Sequence, residues 1–400
     1  MLLAAWARPA AGQSLTKQDS INQGLQYLLE DRRTRYETTD VINAMYNFKY
    51  DQADQEYRYL EAKYPGHPLP TFLRGLLVWW KMLPDPENRS NDGEFLAHMA
   101  GTISKAEQLL ERNEKNLEAA FFLAGAYGFR GRYHAEQKNW RKAALDGKAA
   151  LKYLEMSHGQ EQFSPEFLFG DGLFNYYREY ISENYVMLRP LMAFFPKGSK
   201  QLGLDQLKRV TQTAFYTRTE AQTYLMRIYA NEEGKAELAY PLAEYLANKF
   251  PDNSYYQRYH ARMAYVTGRN SDCRRVAQDM YIKYKAAMPG YTSETMRNAA
   301  YFLGYTTWMR ASTDTAKRTA LRFFTEAVQA AEQAKAMESG YTISAMYFAG
   351  LASHQLGDAP AAIAWMERAV DNADKDNYAG KDARAWLEKN APRKKRFWLF

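Results

Sequence analysis

The chain has 400 residues, 46% hydrophobic and 25% charged, with 53 Lys and Arg against 46 Asp and Glu and a formal net charge of +7. Its uncharged apolar runs fall far short of a membrane-spanning helix, and its lone Cys273 excludes an internal disulfide. The basic excess is scattered apart from Arg393, Lys394, Lys395 and Arg396, which gives no argument for a nucleic-acid partner.

No low-complexity linker divides the sequence, so an array that grows by repetition fits it better than two separate globular cores. Residues 1–14, MLLAAWARPAAGQS, stand apart: a short apolar stretch precedes the small residues Ala10, Ala11 and Gly12. They read either as the end of a signal peptide that starts upstream or as a disordered start of a cytoplasmic protein. The first reading makes the protein exported, periplasmic or associated with an outer membrane.

Residues 18–31 predict an amphipathic helix with Ile21, Leu25, Leu28 and Leu29 on one face, followed by a basic stretch at 32–35. A damaged repeat runs over 38–65, where Ala53, Tyr57 and Leu60 keep helical spacing and Pro65 stops the helix. Residues 68–83 predict a very apolar helix containing Trp79 and Trp80, and a loop of breakers at 88–93 leads into a helix over 94–112. The pair 117–132 and 140–156 follows. Gly147 costs its helix about 1 kcal/mol relative to Ala, so it is expected to mark close helix contact, with Ala143, Ala144, Ala149 and Ala150.

The stretch 163–195 departs most from a plain repeat. It carries ten Phe or Tyr, a Gly170-Asp171-Gly172 interruption, and Pro190, which is expected to kink or end its second segment. Ser164 before Pro165 and Glu166 predicts a helix start. Two readings stand: an overlong helix pair packed by aromatics, or a second site where the glycines let a ligand approach Asp171, Tyr176 and Tyr177.

Regular helices are then predicted at 199–213, 218–231 and 235–250, the last with Ala239, Ala243 and Leu246 in register and Pro251 as terminator. In the unit 254–288, Gly268 is the turn and Cys273 a buried small hydrophobe. The unit 293–336 sets Gly304 in its first helix and Ala320, Phe324 and Ala327 in its second. The cleanest unit is 341–373, YTISAMYFAGLASHQLGDAPAAIAWMERAVDNA, with Gly350 in one segment, Ala362, Met366 and Ala369 in the next, and a break at Gly357-Asp358. Residues 381–390 predict a polar capping helix, and residues 374–400 as a whole a cap with a basic, aromatic tail.

These units resemble the tetratricopeptide repeat, whose period is about 34 residues with small residues where its two helices touch. The resemblance covers roughly residues 38–373 and implies an all-α, right-handed α-α superhelix of about nine helix pairs spanning 15–373, with 163–200 an atypical pair. It further implies a non-catalytic scaffold with a concave groove lined by first helices. Carried onto this sequence, the groove takes Tyr255, Arg258, Arg262 and Tyr265, then Asn298, Tyr301, Tyr305 and Trp308, then Ser344, Tyr347, Leu351 and His354. The implied partner is a protein: a peptide or a helix, anchored by rings and oriented by Arg258 and Arg262. The subtype that clamps chaperone tails needs polar ligands where Phe302 and Phe348 stand, which disfavours it.

No cofactor or metal is expected. The six histidines are dispersed without a helical i, i+4 pair, and there is no phosphate-cradling loop or nucleophile elbow. The alternative reading is a helical protein that binds or processes carbohydrate, with Asp171 and Glu179 as an acid/base pair.

Overall fold

A computed structural model of the protein describes residues 27–391, and these hold no β-strand. The helices in chain order are α1 (Arg32–Tyr46), α2 (Tyr50–Lys63), α3 (Pro68–Met82), α4 (Asp92–Arg112), α5 (Leu117–Glu136), α6 (Trp140–Ser157), α7 (Phe167–Asn184) and the short α8 (Arg189–Met192). They continue as α9 (Lys200–Thr213), α10 (Arg218–Arg227), α11 (Ala236–Lys249), α12 (Ser254–Val266), α13 (Asn270–Lys285), α14 (Ser293–Trp308), α15 (Asp314–Gln333), α16 (Gly340–Gln355), α17 (Ala359–Asn372) and α18 (Tyr378–Asn390). The fold class is all-α, built of successive helical hairpins. The 1–14 segment, most of the helix expected at 18–31 and the basic run at 393–396 lie outside the described residues.

Helix starts follow capping chemistry. Asn116, Asn139, Ser199, Asn253, Thr313, Asp358 and Asn377 each accept a hydrogen bond from the backbone N–H three residues on, satisfying a donor that has no partner inside its helix. Asp31 does the same for α1: its carboxylate accepts from the Thr34 amide at 2.8 Å and the Thr34 hydroxyl at 2.7 Å. This cap overturns part of the sequence expectation. Residues 28–30 form a turn with Leu28 and Leu29 buried, and Arg32, Arg33 and Arg35 lie in the first turn of α1.

Five hairpin connections share one geometry. The helical segments stop two residues before, and resume two residues after, a residue with positive φ: Phe48 (56°), Lys138 (57°), Gly234 (62°), Gly268 (73°) and Gly357 (81°). Gly234 and Gly268 stand about 34 residues apart, the tetratricopeptide period. Glycine reaches this conformation without a Cβ penalty. At position 48 a Phe accepts it, with its ring buried beside Trp80 at 6.4 Å.

The described residues divide into two compact units: one from the N-terminal side to Met45 with Tyr50–Trp79 and Asn91–Leu225, the other of Tyr46–Lys49, Trp80–Ser90 and the residues from Met226 onward.

In the first unit, Trp79 is buried against Phe95 (5.4 Å between ring centroids) and Phe129 (5.8 Å). Gly131 gives α5 its close approach to α6, since a Cβ there would lie 3.3 Å from Asp146 Cβ and 3.4 Å from the Ala143 carbonyl. Gly147, expected to mark that contact, has nothing within 4 Å of its own Cβ position. The Gly170-Asp171-Gly172 stretch does not interrupt anything: α7 runs through it unbroken. Pro190 begins α8 instead of ending a helix, because its missing N–H and fixed φ suit a first turn. The predicted start at Ser164 falls within a turn, and Glu166 is the residue flanking α7.

The second unit is closed by stacked hairpins with small residues at their crossings. A Cβ on Gly304 would stand 2.7 Å from the Phe324 ring, and one on Gly350 2.8 Å from Met366 Cε. Ala320, Ala327, Ala362, Ala369 and Ala383 are all fully buried around them. Cys273 is fully buried in the same core and its thiol is pushed up to about 12 by burial, so it packs as a small hydrophobe, as its position in the repeat predicts.

Candidate functional site

All twelve residues expected to line a groove lie in the second unit, and they divide by accessibility. Tyr301 on α14 is only 1% exposed; its hydroxyl meets the Tyr265 hydroxyl at 2.9 Å. Burial drives its phenol pKa far upward. Tyr255 is buried on α12, its ring perpendicular to Trp80 at 5.8 Å. Asn298 is buried and accepts from Arg297 Nε at 3.2 Å. Tyr255, Asn298 and Tyr301 therefore serve as packing in this structure and do not line an open groove.

The two arginines expected to orient a ligand are already engaged. Arg258 is 8% exposed, pairs with Glu294 at 2.6 Å and reaches the Leu83 carbonyl at 3.5 Å. Arg262 donates to Asn231 Oδ1 at 2.8 Å and to the Ala230 carbonyl at 3.1 Å. That carbonyl lies in a π-helical turn at Ile228–Glu232, where the wider hydrogen-bond pattern gives a side chain access to the backbone.

The remaining groove residues keep partial access. Tyr265, Tyr305, Trp308, Ser344, Tyr347 and Leu351 are half-buried, and His354 is exposed. Tyr265 of α12 and Tyr305 of α14 meet edge to face at 4.8 Å, Tyr305 meets Phe348 of α16 at 5.7 Å, and Phe348 meets Tyr347 at 5.5 Å. A continuous row of rings thus crosses three successive first helices. His354, further along α16, lies T-shaped on Trp386 of α18 at 5.3 Å.

At the second candidate site, in the first unit, the glycines serve helix packing. A Cβ on Gly170 would collide with Leu154 at 2.2 Å, and one on Gly172 with Leu207 at 2.9 Å. Tyr176 is fully buried, whereas Tyr177 is half-buried with its ring 6.2 Å from that of Tyr224. Asp171 faces His158 at 3.3 Å, and burial raises its carboxyl pKa despite that neighbour. Glu179 is held separately, by Arg178 at 2.9 Å and the Gly198 amide at 3.1 Å.

Sequence reasoning missed one cluster. Glu244 of α11, His260 of α12 and Asp272 of α13 bring one candidate ligand atom each to within 4.8 Å of one another. The His260 ring nitrogen meets Asp272 at 2.6 Å, and the Tyr240 hydroxyl bridges Glu244 (3.1 Å) and Asp272 (3.0 Å). Arg275 also donates to Asp272. Burial lowers the His260 pKa more than Asp272 raises it, so the imidazole is favoured neutral. Burial alone would push the Asp272 carboxyl upward, but His260, Arg275 and Tyr240 outweigh it and hold it below its usual range. A cation here would have to displace protons that already link these groups. The residues come from three helices, so no spacing along the chain announces them.

No family model matches this sequence, and no curated protein matches it. Among solved structures, yeast Tom70 is similar at 13% identity and a TM-score of 0.37, over 80% of this chain. The chain spans 63% of the length of that protein.

Proposed function

We propose that the protein is a non-catalytic scaffold that docks a segment of a partner protein across the first helices α12, α14 and α16. One observation carries this reading: the half-buried ring row Tyr265, Tyr305, Phe348 and Tyr347, with Trp308 and His354 further along α14 and α16. Rings held by their neighbours on one side contribute large contact area with little loss of freedom on binding. The surroundings give orientation by hydroxyl and imidazole groups more than by Arg258 or Arg262, whose donors are engaged within the fold. An extended peptide or an amphipathic helix satisfies this geometry equally. We further propose that the protein is exported, on the short apolar stretch and the small residues Ala10, Ala11 and Gly12.

The test is crosslinking and recovery from the native source, comparing the intact chain with a Tyr305→Ala/Trp308→Ala/Tyr347→Ala variant of matching far-UV spectrum. A polypeptide recovered with the intact chain should fall at least about tenfold with the variant, the effect of losing about 1.4 kcal/mol or more from a hot spot. Equal recovery rejects the ring row as the docking face.

A further inference from the structure

The chain between α7 and α9 displays exposed apolar side chains, of which Tyr185 alone has a ring partner, Tyr180 at 6.3 Å. Tyr185 is 46% exposed, Val186 64%, Met187 93% and Phe194 86%, all within ten residues. Elsewhere among the described large hydrophobic residues, exposures above four-fifths occur at the widely separated Tyr36 and Tyr378. Scattered single apolar residues are ordinary on a surface; a local cluster marks an interaction site.

Polar bonds fix the backbone of this tip from the inside. The Arg178 guanidinium donates to the carbonyls of Pro196 (2.9 Å), Met192 (3.3 Å) and Phe195 (3.5 Å). Arg189 Nε donates to the Ser182 carbonyl at 2.9 Å, the Gly198 amide donates to Glu179 at 3.1 Å, and Lys200 pairs with Glu183 at 2.7 Å. The tip is thus an ordered platform whose apolar groups point outward. Its charge is one-sided: from Asn184 to Ser199 there is no carboxylate, and the charges are Arg189 and Lys197, both exposed.

We infer that this tip docks the protein on an anionic lipid surface. Val186, Met187 and Phe194 would enter the boundary between headgroups and acyl chains, Tyr185 would sit at headgroup level, and Arg189 and Lys197 would meet lipid phosphates. Apolar insertion and cationic attraction act together in such interfacial segments, and neither alone gives firm attachment. The absence of any acid across the tip matches an anionic surface. The proposal is independent of the ring row.

The experiment is vesicle flotation of the full chain with phosphatidylglycerol/phosphatidylethanolamine vesicles and with pure phosphatidylcholine vesicles, alongside Met187→Asp/Phe194→Asp and Lys197→Glu variants. The intact chain should float with the anionic vesicles. The double variant should lower apparent affinity at least about tenfold, and Lys197→Glu should weaken binding to anionic vesicles while leaving phosphatidylcholine unchanged. A Met187→Trp variant checks the same point without adding charge: the difference between its fluorescence and that of the intact chain should shift to the blue on adding anionic vesicles. No flotation, flotation unaltered by the double variant, or no blue shift from the Met187→Trp variant overturns the proposal. So does a crosslinker at position 187 that captures only a soluble polypeptide or a second copy of this chain.

Discussion

Two glycines in equivalent positions of neighbouring hairpins separate the effect of space from the effect of residue type. The Cβ of Ala at 304 would press on the Phe324 ring, fully buried and stacked on Phe348 at 5.5 Å, which has nowhere to move. At 350 it would meet Met366, whose flexible thioether can turn aside. Gly304→Ala should therefore cost roughly 1–3 kcal/mol by overpacking, and Gly350→Ala clearly less, read from urea midpoints. Equal losses would show that Met366 is as confined as Phe324. Both glycines were legible in the sequence, because they recur at one place in a repeat. Gly147 was misjudged, and the two readings of Gly170 stayed open, because a sequence does not tell which side of a helix will meet a neighbour.

At the scale of the element, α7 and α9 touch along Gly172 and Gly203. A Cβ at 203 would lie 2.6 Å from both the Gly172 carbonyl and the Tyr176 nitrogen, and neither backbone atom can step aside. Gly203→Ala should cost the first unit roughly 3 kcal/mol or more. Gly147→Ala, with open space at its Cβ, should instead stabilise by up to about 1 kcal/mol through helix propensity. Paired thermal melts decide this, and a neutral Gly203→Ala would contradict the close crossing. Helix bounds were legible wherever a capping residue preceded an apolar period, as at Ser199 and Asn253. The shared turn was legible at Gly268 and Gly357 but hidden at Phe48 and Lys138, whose residue types give no sign of left-handed backbone. The ring row was partly legible: Tyr265, Tyr305 and Tyr347 were named for the groove and Phe348 was not, and which rings pack inward depends on neighbouring hairpins.

For the whole molecule, acid sensitivity should begin with imidazoles. His98, His134 and His260 all have pKa values lowered from 6.5, with burial the leading cause in each. A base whose folded pKa is depressed stabilises the fold above its unfolded pKa and loses that contribution as pH falls through the folded value. Urea midpoints should therefore decline as pH drops from about 7 to about 5. His134→Gln should flatten part of that decline. Asp171 has the opposite sign: its raised pKa favours the fold only where its carboxyl is protonated, a contribution complete below 3.8 and lost as pH rises through the folded value. A midpoint indifferent to pH between about 5 and 7 would mean that the three rings protonate without hindrance.

Glu166 adds a topological consequence. Its carboxylate is fully buried and accepts from the amides of Phe215 (2.7 Å), Tyr216 (3.1 Å) and Thr217 (2.8 Å) and from the Thr217 hydroxyl (2.6 Å). In a chain with one cysteine, this ion ties off a loop of about fifty residues as a crosslink would, and the tip at 185–195 lies wholly inside it. Length added or removed at the tip is confined by that knot, so the loop can diverge or be exchanged between related chains without disturbing the helices outside it.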